Sequence, residues 1–261
     1  MTVDPIEFFR RIEAISSSDI AREVNAPNKL LMGSEITRNG SVEVAYAPFD
    51  HVNTDASIVI VGITPGRTQM EAALHAAKSG FLMKLPEEEI LERAKVHASF
   101  SGEMRKELIG LLDYIRLPQA FGIASAAELW GKAAPLVHFT SALRYPTFFK
   151  GENYNGQPRV ASNALLTAHA NAWFGAEARL LKDAVFVLLG RKVDEAVLPV
   201  LRANGVPESR IIGNFFHPSP ANRERVQYFT GTLRKEPSSR VDRVRTDRDR
   251  EEILAKVAAL R

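Results

Sequence analysis

Residues 57–69 read "SIVIVGITPGRTQ". The opening run is β-branched and unalternated, the pattern of a strand covered on both faces. Gly62, Pro65 and Gly66 then set a tight turn with little side-chain bulk where that strand ends. Such a turn lets backbone approach a ligand closely, and in open α/β sheets ligands bind off the carboxyl ends of the strands. The turn has neither the lysine and spacing of a phosphate-cradling P-loop nor the G-x-G-x-x-G pattern, so neither nucleotide cofactor is implied.

Three more apolar runs follow: "PLVHFTSAL" (135–143), "AVFVLLG" (184–190) and "SRIIGNFF" (209–216). Helical periodicity fills the intervals, strongest over 102–116, where Leu108, Leu111, Leu112 and Ile115 share one stripe. The pattern predicts an α/β fold: a single domain with a central four-stranded parallel sheet and helices on both faces. Asp4 before Pro5 caps a first helix. "SVEVAYAPF" (41–49) alternates as a strand or an extended arm, and "FFKGENYNGQPR" (148–159) reads as a loop. The domain is expected to cover 1–235, followed over 236–261 by a charged linker, up to 252, and an amphipathic helix.

The chain has 261 residues, 45% of them apolar, and no cysteine. Disulfides, thiolate nucleophiles, cysteine-ligated zinc and iron–sulfur clusters are therefore excluded. The six histidines are dispersed without metal-ligand spacing, so no metal and no cofactor is expected. No apolar run approaches membrane-spanning length and Asp4 and Glu7 stand where a signal peptide carries positive charge, so a cytoplasmic protein with no membrane contact is expected. The net charge is +3. Between 234 and 250, seven Lys or Arg face four Asp or Glu, an excess equal to that of the whole chain. Nucleic-acid binding must then rest on a local arrangement of charge.

A second marked turn, "HPSPAN" (217–222), closes the last apolar run, with Pro218 and Pro220 fixing the backbone around Ser219 and His217 held just before them. A glycine-proline turn after the first buried strand and H-P-S-P after the last resemble the uracil-DNA glycosylase superfamily, whose motifs have the forms G-x-(D/N/A)-P-(Y/G) and H-P-S. The matching residues are Gly62, Thr64, Pro65 and Gly66, then His217, Pro218, Ser219 and Pro220. "SFSGEMRKELIGLL" (99–112) is similar to a segment of the iron–sulfur branch whose phenylalanine stacks on the extruded base, and "VHFTSALRY" (137–145) to the strand whose asparagine reads the base edge. Phe100 and Ser141 fall at those places. The resemblance spans roughly 55–235.

It implies a DNA-binding base-excision protein, a monofunctional glycosylase acting on a flipped, damaged or deaminated base in single- or double-stranded DNA. His217 and Thr64 take the catalytic positions. Gly62, Ile63, Phe100 and Ser141 would hold the base, and Pro65, Gly66, Arg67, Pro218, Ser219, Pro220 and Asn222 the DNA backbone. Three departures stand out. Thr64 replaces an Asp or Asn, Ser141 replaces the base-reading asparagine, and the cluster-holding cysteines are missing. Asp50, Glu71 and Glu103 lie near the turns as substitute acids, Arg144 and Tyr145 end the second strand, and His138 reads as a core histidine. The competing readings are a catalytically silent relative that binds a nucleobase or nucleic acid, and a small-molecule enzyme whose turns bind phosphate.

Overall fold

The computed structural model describes residues 4 to 260. Helices α1 (Pro5–Ala14) and α2 (Ser17–Asn25) start on side-chain caps, Asp4 accepting from the Ile6 N–H at 3.0 Å and Ser16 from the Asp19 N–H at 3.2 Å. Strands β1 (Leu31–Thr37) and β2 (Gly40–Ala45) form a hairpin. Then come β3 (Ile58–Gly62), α3 (Arg67–Leu82), α4 (Glu87–Ala98), α5 (Glu103–Tyr114) and the short α6 (Leu117–Ala120). After β4 (Val137–Ser141), β5 (Thr147–Phe149) and β6 (Glu152–Asn153), α7 (Ala164–His169) runs through a π-turn at Ala170–Phe174 into α8 (Gly175–Leu180). The chain ends with β7 (Val185–Leu188), α9 (Arg191–Ala203), β8 (Ile211–Ile212), α10 (Arg223–Phe229) and α11 (Arg243–Ala258).

The four expected apolar strands pair in parallel in the order β4-β3-β7-β8. Alternation along them divides the core. Ile58 and Ile60 of β3, Phe139 of β4 and Val185 and Val187 of β7 pack with α5, α10 and α11. Val59, Val61, Phe186 and Leu188 face the other way, onto Phe174, Ala178 and the stripe Val193, Val197, Leu201 of α9. Because both faces are covered, the strands carry no polar alternation. Register places Gly62 beside Ser141, so the two strand ends reach the same edge.

Three local differences from the sequence reading have physical causes. A second, antiparallel sheet, β1-β2-β5-β6, lies beside the first; β1 is only half-buried and β6 is exposed, so neither carries an apolar run. Part of the segment read as a loop over 148–159 therefore pairs as strand. The charged stretch is not a linker up to 252: α11 begins at Arg243, capped by Asp242, whose carboxylate accepts from the Arg245 N–H at 3.1 Å. Its ion pairs lie at helical spacing, Arg245–Asp249, Arg248–Glu252 and Asp247–Arg250, and Ile253 and Val257 anchor it to the core. No helix among the described residues is long and apolar enough to cross a membrane.

Candidate functional site

The turn after β3 is built on small residues for a packing reason. A Cβ on Gly62 would sit 3.3 Å from Ser141 Oγ and 3.6 Å from the Phe100 ring. Glycine leaves that space as cavity. Thr64 is tied into the scaffold: its hydroxyl donates to the Tyr145 carbonyl at 2.9 Å and accepts from the Thr147 N–H at 3.1 Å. The Gly66 N–H donates to Gln69 Oε1 at 3.0 Å and the Arg67 N–H to Asn153 Oδ1 at 3.1 Å, so two amides of this turn already have acceptors. The Arg67 guanidinium points back to the carbonyls of Val24 and Gly151 and lies 4.4 Å from the centre of the Phe148 ring. It faces away from the turn's cavity.

The second turn is held by its own amides. The His217 carbonyl accepts from the Ser219 N–H at 2.8 Å and from Asn222 Nδ2 at 3.0 Å, while Asn222 Oδ1 accepts from Arg225 Nη1 at 3.1 Å. Asn222 thus braces the turn. Pro218 is buried, and Pro220 opens a short 3-10 turn, Pro220–Asn222, before α10. Gly190, at φ +117°, lies against His217, where a Cβ would come 3.6 Å from the His217 amide nitrogen. Burial holds the His217 imidazole below its ordinary value of 6.5, so it is neutral near pH 7.

Between the turns lies an inner cavity of about 50 Å³, lined by Gly62, Ile63, Thr64, Pro65, Phe100, Ser141 and His217 among others. Phe100 sits at φ +50°, a strained conformation for a bulky residue that costs of order 1–3 kcal/mol. The strain puts its ring in the wall, edge-on to Phe139 at 5.9 Å, and Trp130 stacks behind Phe139 at 4.6 Å. The cavity shares Ile63, Thr64, Gln69, Met104 and His217 with a groove of about 630 Å³. Arg191, Lys192, Arg225, Arg240 and Arg245 line that groove, against the carboxylates of Asp242 and Asp249. An apolar recess opening into a basic groove can take a flat ring from a polyanion lying along the groove.

The inner cavity has a charged side, of which the sequence reading marked Arg144, at the end of the second strand, and missed Lys95 and Glu177. Lys95 and Arg144 line it together with Thr140. Behind them the buried Glu177 accepts from Arg144 Nε at 2.8 Å and Nη2 at 2.6 Å and from the Thr140 hydroxyl. These cations, Arg144 first, hold the Glu177 carboxyl well below its ordinary range despite burial. His138 Nε2 lies 3.4 Å from the same carboxylate, and burial pushes its imidazole down to about 4. It is a neutral core histidine in this setting. Lys95 lies on α4 beside the stripe Ile90, Ala94, Ala98, and nothing in its spacing distinguishes it from a solvated lysine.

None of the substitute acids reaches the cavity lining. Asp50 accepts from the hydroxyls of Tyr46, at 2.6 Å, and Tyr145. Glu71 is exposed, and Glu103 is exposed and pairs with Arg223 at 3.5 Å. Among the described residues, no carboxylate lines the inner cavity and no three metal-ligating side chains gather.

The family model of the uracil DNA glycosylase superfamily matches residues 49–239. The chain is also similar to the uncharacterized protein YoxB of Bacillus subtilis (strain 168), at 36% identity over 190 residues, 72% of this chain and 74% of that protein. No solved structure matches the chain significantly.

Proposed function

The chain belongs to the uracil DNA glycosylase superfamily, and from that premise we propose that it binds DNA and hydrolyses the N-glycosidic bond of a damaged or deaminated base turned out of the stack. One observation supports this reading most. Gly62, Ile63, Thr64, Phe100, Ser141 and His217, from four separate stretches of chain, line one recess that opens into a groove with five arginine or lysine side chains.

In this reading the strand lies in the groove, and the extruded base stacks on Phe100, a contact worth on the order of 1–3 kcal/mol. The recess is smaller than the ~150 Å³ cavity that holds benzene. It therefore takes one edge of the ring while the sugar remains at the mouth. As the bond from C1′ to the base nitrogen breaks, its electron pair passes to the base and negative charge grows on the base oxygens. The His217 N–H donates to such an oxygen, the role of an oxyanion-hole donor, worth about 10²–10³ in rate. Water then bonds to C1′ through its oxygen, and its proton passes to the departing base, which leaves neutral. With no carboxylate in the lining, stabilising the departing base carries more of the catalysis than activating the water.

Incubation with oligonucleotides containing uracil, hypoxanthine, xanthine or mismatched thymine should yield abasic sites from at least one of them, and His217→Ala should slow that release by about 10² or more. No release from any substrate, or release indifferent to His217→Ala, would overturn the proposal. A catalytically silent base- or nucleic-acid-binding relative is the second reading, favoured by the Thr64 hydroxyl, whose proton is committed to the Tyr145 carbonyl. Retained, salt-dependent affinity for the same oligonucleotides without release identifies it.

A further inference from the structure

We propose that Lys95 determines which ring the inner cavity accepts: its ammonium donates to a carbonyl or anionic oxygen, so the cavity takes an oxygen-bearing heterocycle and refuses one that turns only amino groups to that wall. The inference rests on the base-binding reading of the cavity, and on no assumption that a bond is cut there.

Lys95 is 3% exposed and lines the cavity. Its Nζ carries three N–H donors. One goes to the His51 carbonyl at 2.6 Å. The nearest carboxylate oxygen, Glu177 Oε1, is 3.8 Å away, beyond hydrogen-bond reach, and is already doubly engaged by Arg144. Among the described residues no other acceptor meets Nζ. The charges of the cluster balance, Glu177 and Asp50 against Arg144 and Lys95, but Glu177 is shared with the closer Arg144, and neither carboxylate takes a hydrogen bond from Nζ. A buried ammonium with N–H donors to spare is costly unless an acceptor joins it.

Lys95 and Arg144, which carry donors and no acceptor, make this wall unfavourable to an amino group. The Thr140 hydroxyl donates to Glu177 and the Ser99 hydroxyl donates to the Lys95 carbonyl at 2.6 Å. Gln69 Oε1 holds the Gly66 amide. The Ser141 hydroxyl and the lone pairs left on the Thr140 and Ser99 oxygens are the hydroxyl acceptors of this part of the lining.

Charge on Lys95 should be visible in pH. Burial pushes its ammonium down to about 8 against the pull of Glu177 from α8, with Arg144 and His138 from β4 and its end, and Asp50 and His51 from the segment after β2, also facing it. The ammonium is present below that value and lost above it.

The test is isothermal titration of the full chain with free uracil and hypoxanthine against free cytosine and adenine. The oxygen-richer partner of each pair should bind at least about tenfold more tightly near pH 7. Lys95→Met should abolish that preference, and Lys95→Arg should keep part of it, since a guanidinium also donates. Lys95→Gln, a neutral donor of similar length, serves if the methionine variant fails to fold. Uracil affinity of the wild-type protein should fall from about pH 7 to about pH 9, and that of Lys95→Arg should stay level over the same range. Equal binding of both classes, the wild-type preference for the oxygen-richer ring retained in Lys95→Met or in Lys95→Gln, whose amide also accepts, or no uracil binding at about 10 mM would overturn the inference. Uracil binding through Lys95 without abasic-site formation refutes only the glycosylase reading, and base release unaffected in its selectivity by Lys95→Met refutes only this one.

Discussion

At the scale of single residues, the first turn separates what holds the fold from what empties the cavity. Gly62→Ala puts a methyl group against Ser141 Oγ and the Phe100 ring. Gly62 lies in extended backbone that alanine also adopts, so the stability change should stay below about 1.5 kcal/mol while base release or ring binding drops sharply. Thermal melting and the oligonucleotide assay together check this, and full activity in Gly62→Ala would contradict the position of the cavity. Thr64→Val is expected to behave in the opposite way. It removes the hydroxyl that links the turn to Tyr145 and Thr147, leaving two backbone groups without that partner, at about 1–3 kcal/mol of stability. Thr64→Asp should not raise activity, because a carboxylate cannot donate to the Tyr145 carbonyl. Gly62, Pro65 and His217 were legible in the sequence because turn chemistry marks them. Lys95 and Glu177 were not, since a charge buried by a neighbour distant in sequence leaves the same local pattern as a solvated one.

At the scale of elements, legibility follows how each one buries its surface. Strands β3, β4 and β7 are covered on both sides and announce themselves as continuous apolar runs. The β1–β2 hairpin and the short β5 and β6 take their place from backbone pairing and half-burial, so their sequence is ambiguous. Helix α11 is held by ion pairs at helical spacing, which in composition resembles a solvated linker. Its position has a functional consequence under the proposed reading. The segment contributes Arg240 and Arg245 to one wall of the groove, near Arg225. If a DNA strand lies there, Arg240→Ala combined with Arg245→Ala should lower the slope of log affinity against log salt by roughly 1.8 for duplex DNA, and weaken binding alike across sequences. Fluorescence anisotropy over a salt series measures this. An unchanged slope would place the strand elsewhere.

At the scale of the whole molecule, the buried ionisable groups set how stability answers to pH. His138 is pushed down to about 4 from 6.5, so between those values the unfolded chain binds the extra proton and stability falls with falling pH. Asp194 opposes it: burial raises its carboxyl to about 6 from 3.8, so there the folded chain binds more protons and stability rises as pH falls. The two windows overlap and largely cancel. Lys95 has no such counterweight. With a folded value of about 8 against 10.5 unfolded, the unfolded chain holds the additional proton between them, so stability increases with pH at up to about 1.4 kcal/mol per unit. The rise ends near pH 10, where unfolded tyrosines ionise but Tyr46 and Tyr145, pushed up by burial and then by Asp50, do not. Urea denaturation from about pH 7 to 10 should therefore place maximal stability above pH 8, on the alkaline side of the usual range. Lys95→Met should flatten that rise, because the group that titrates is gone while Arg144 still neutralises Glu177. A rise that persists in Lys95→Met would mean that another group carries it, and that burial does not hold the Lys95 ammonium below its ordinary value.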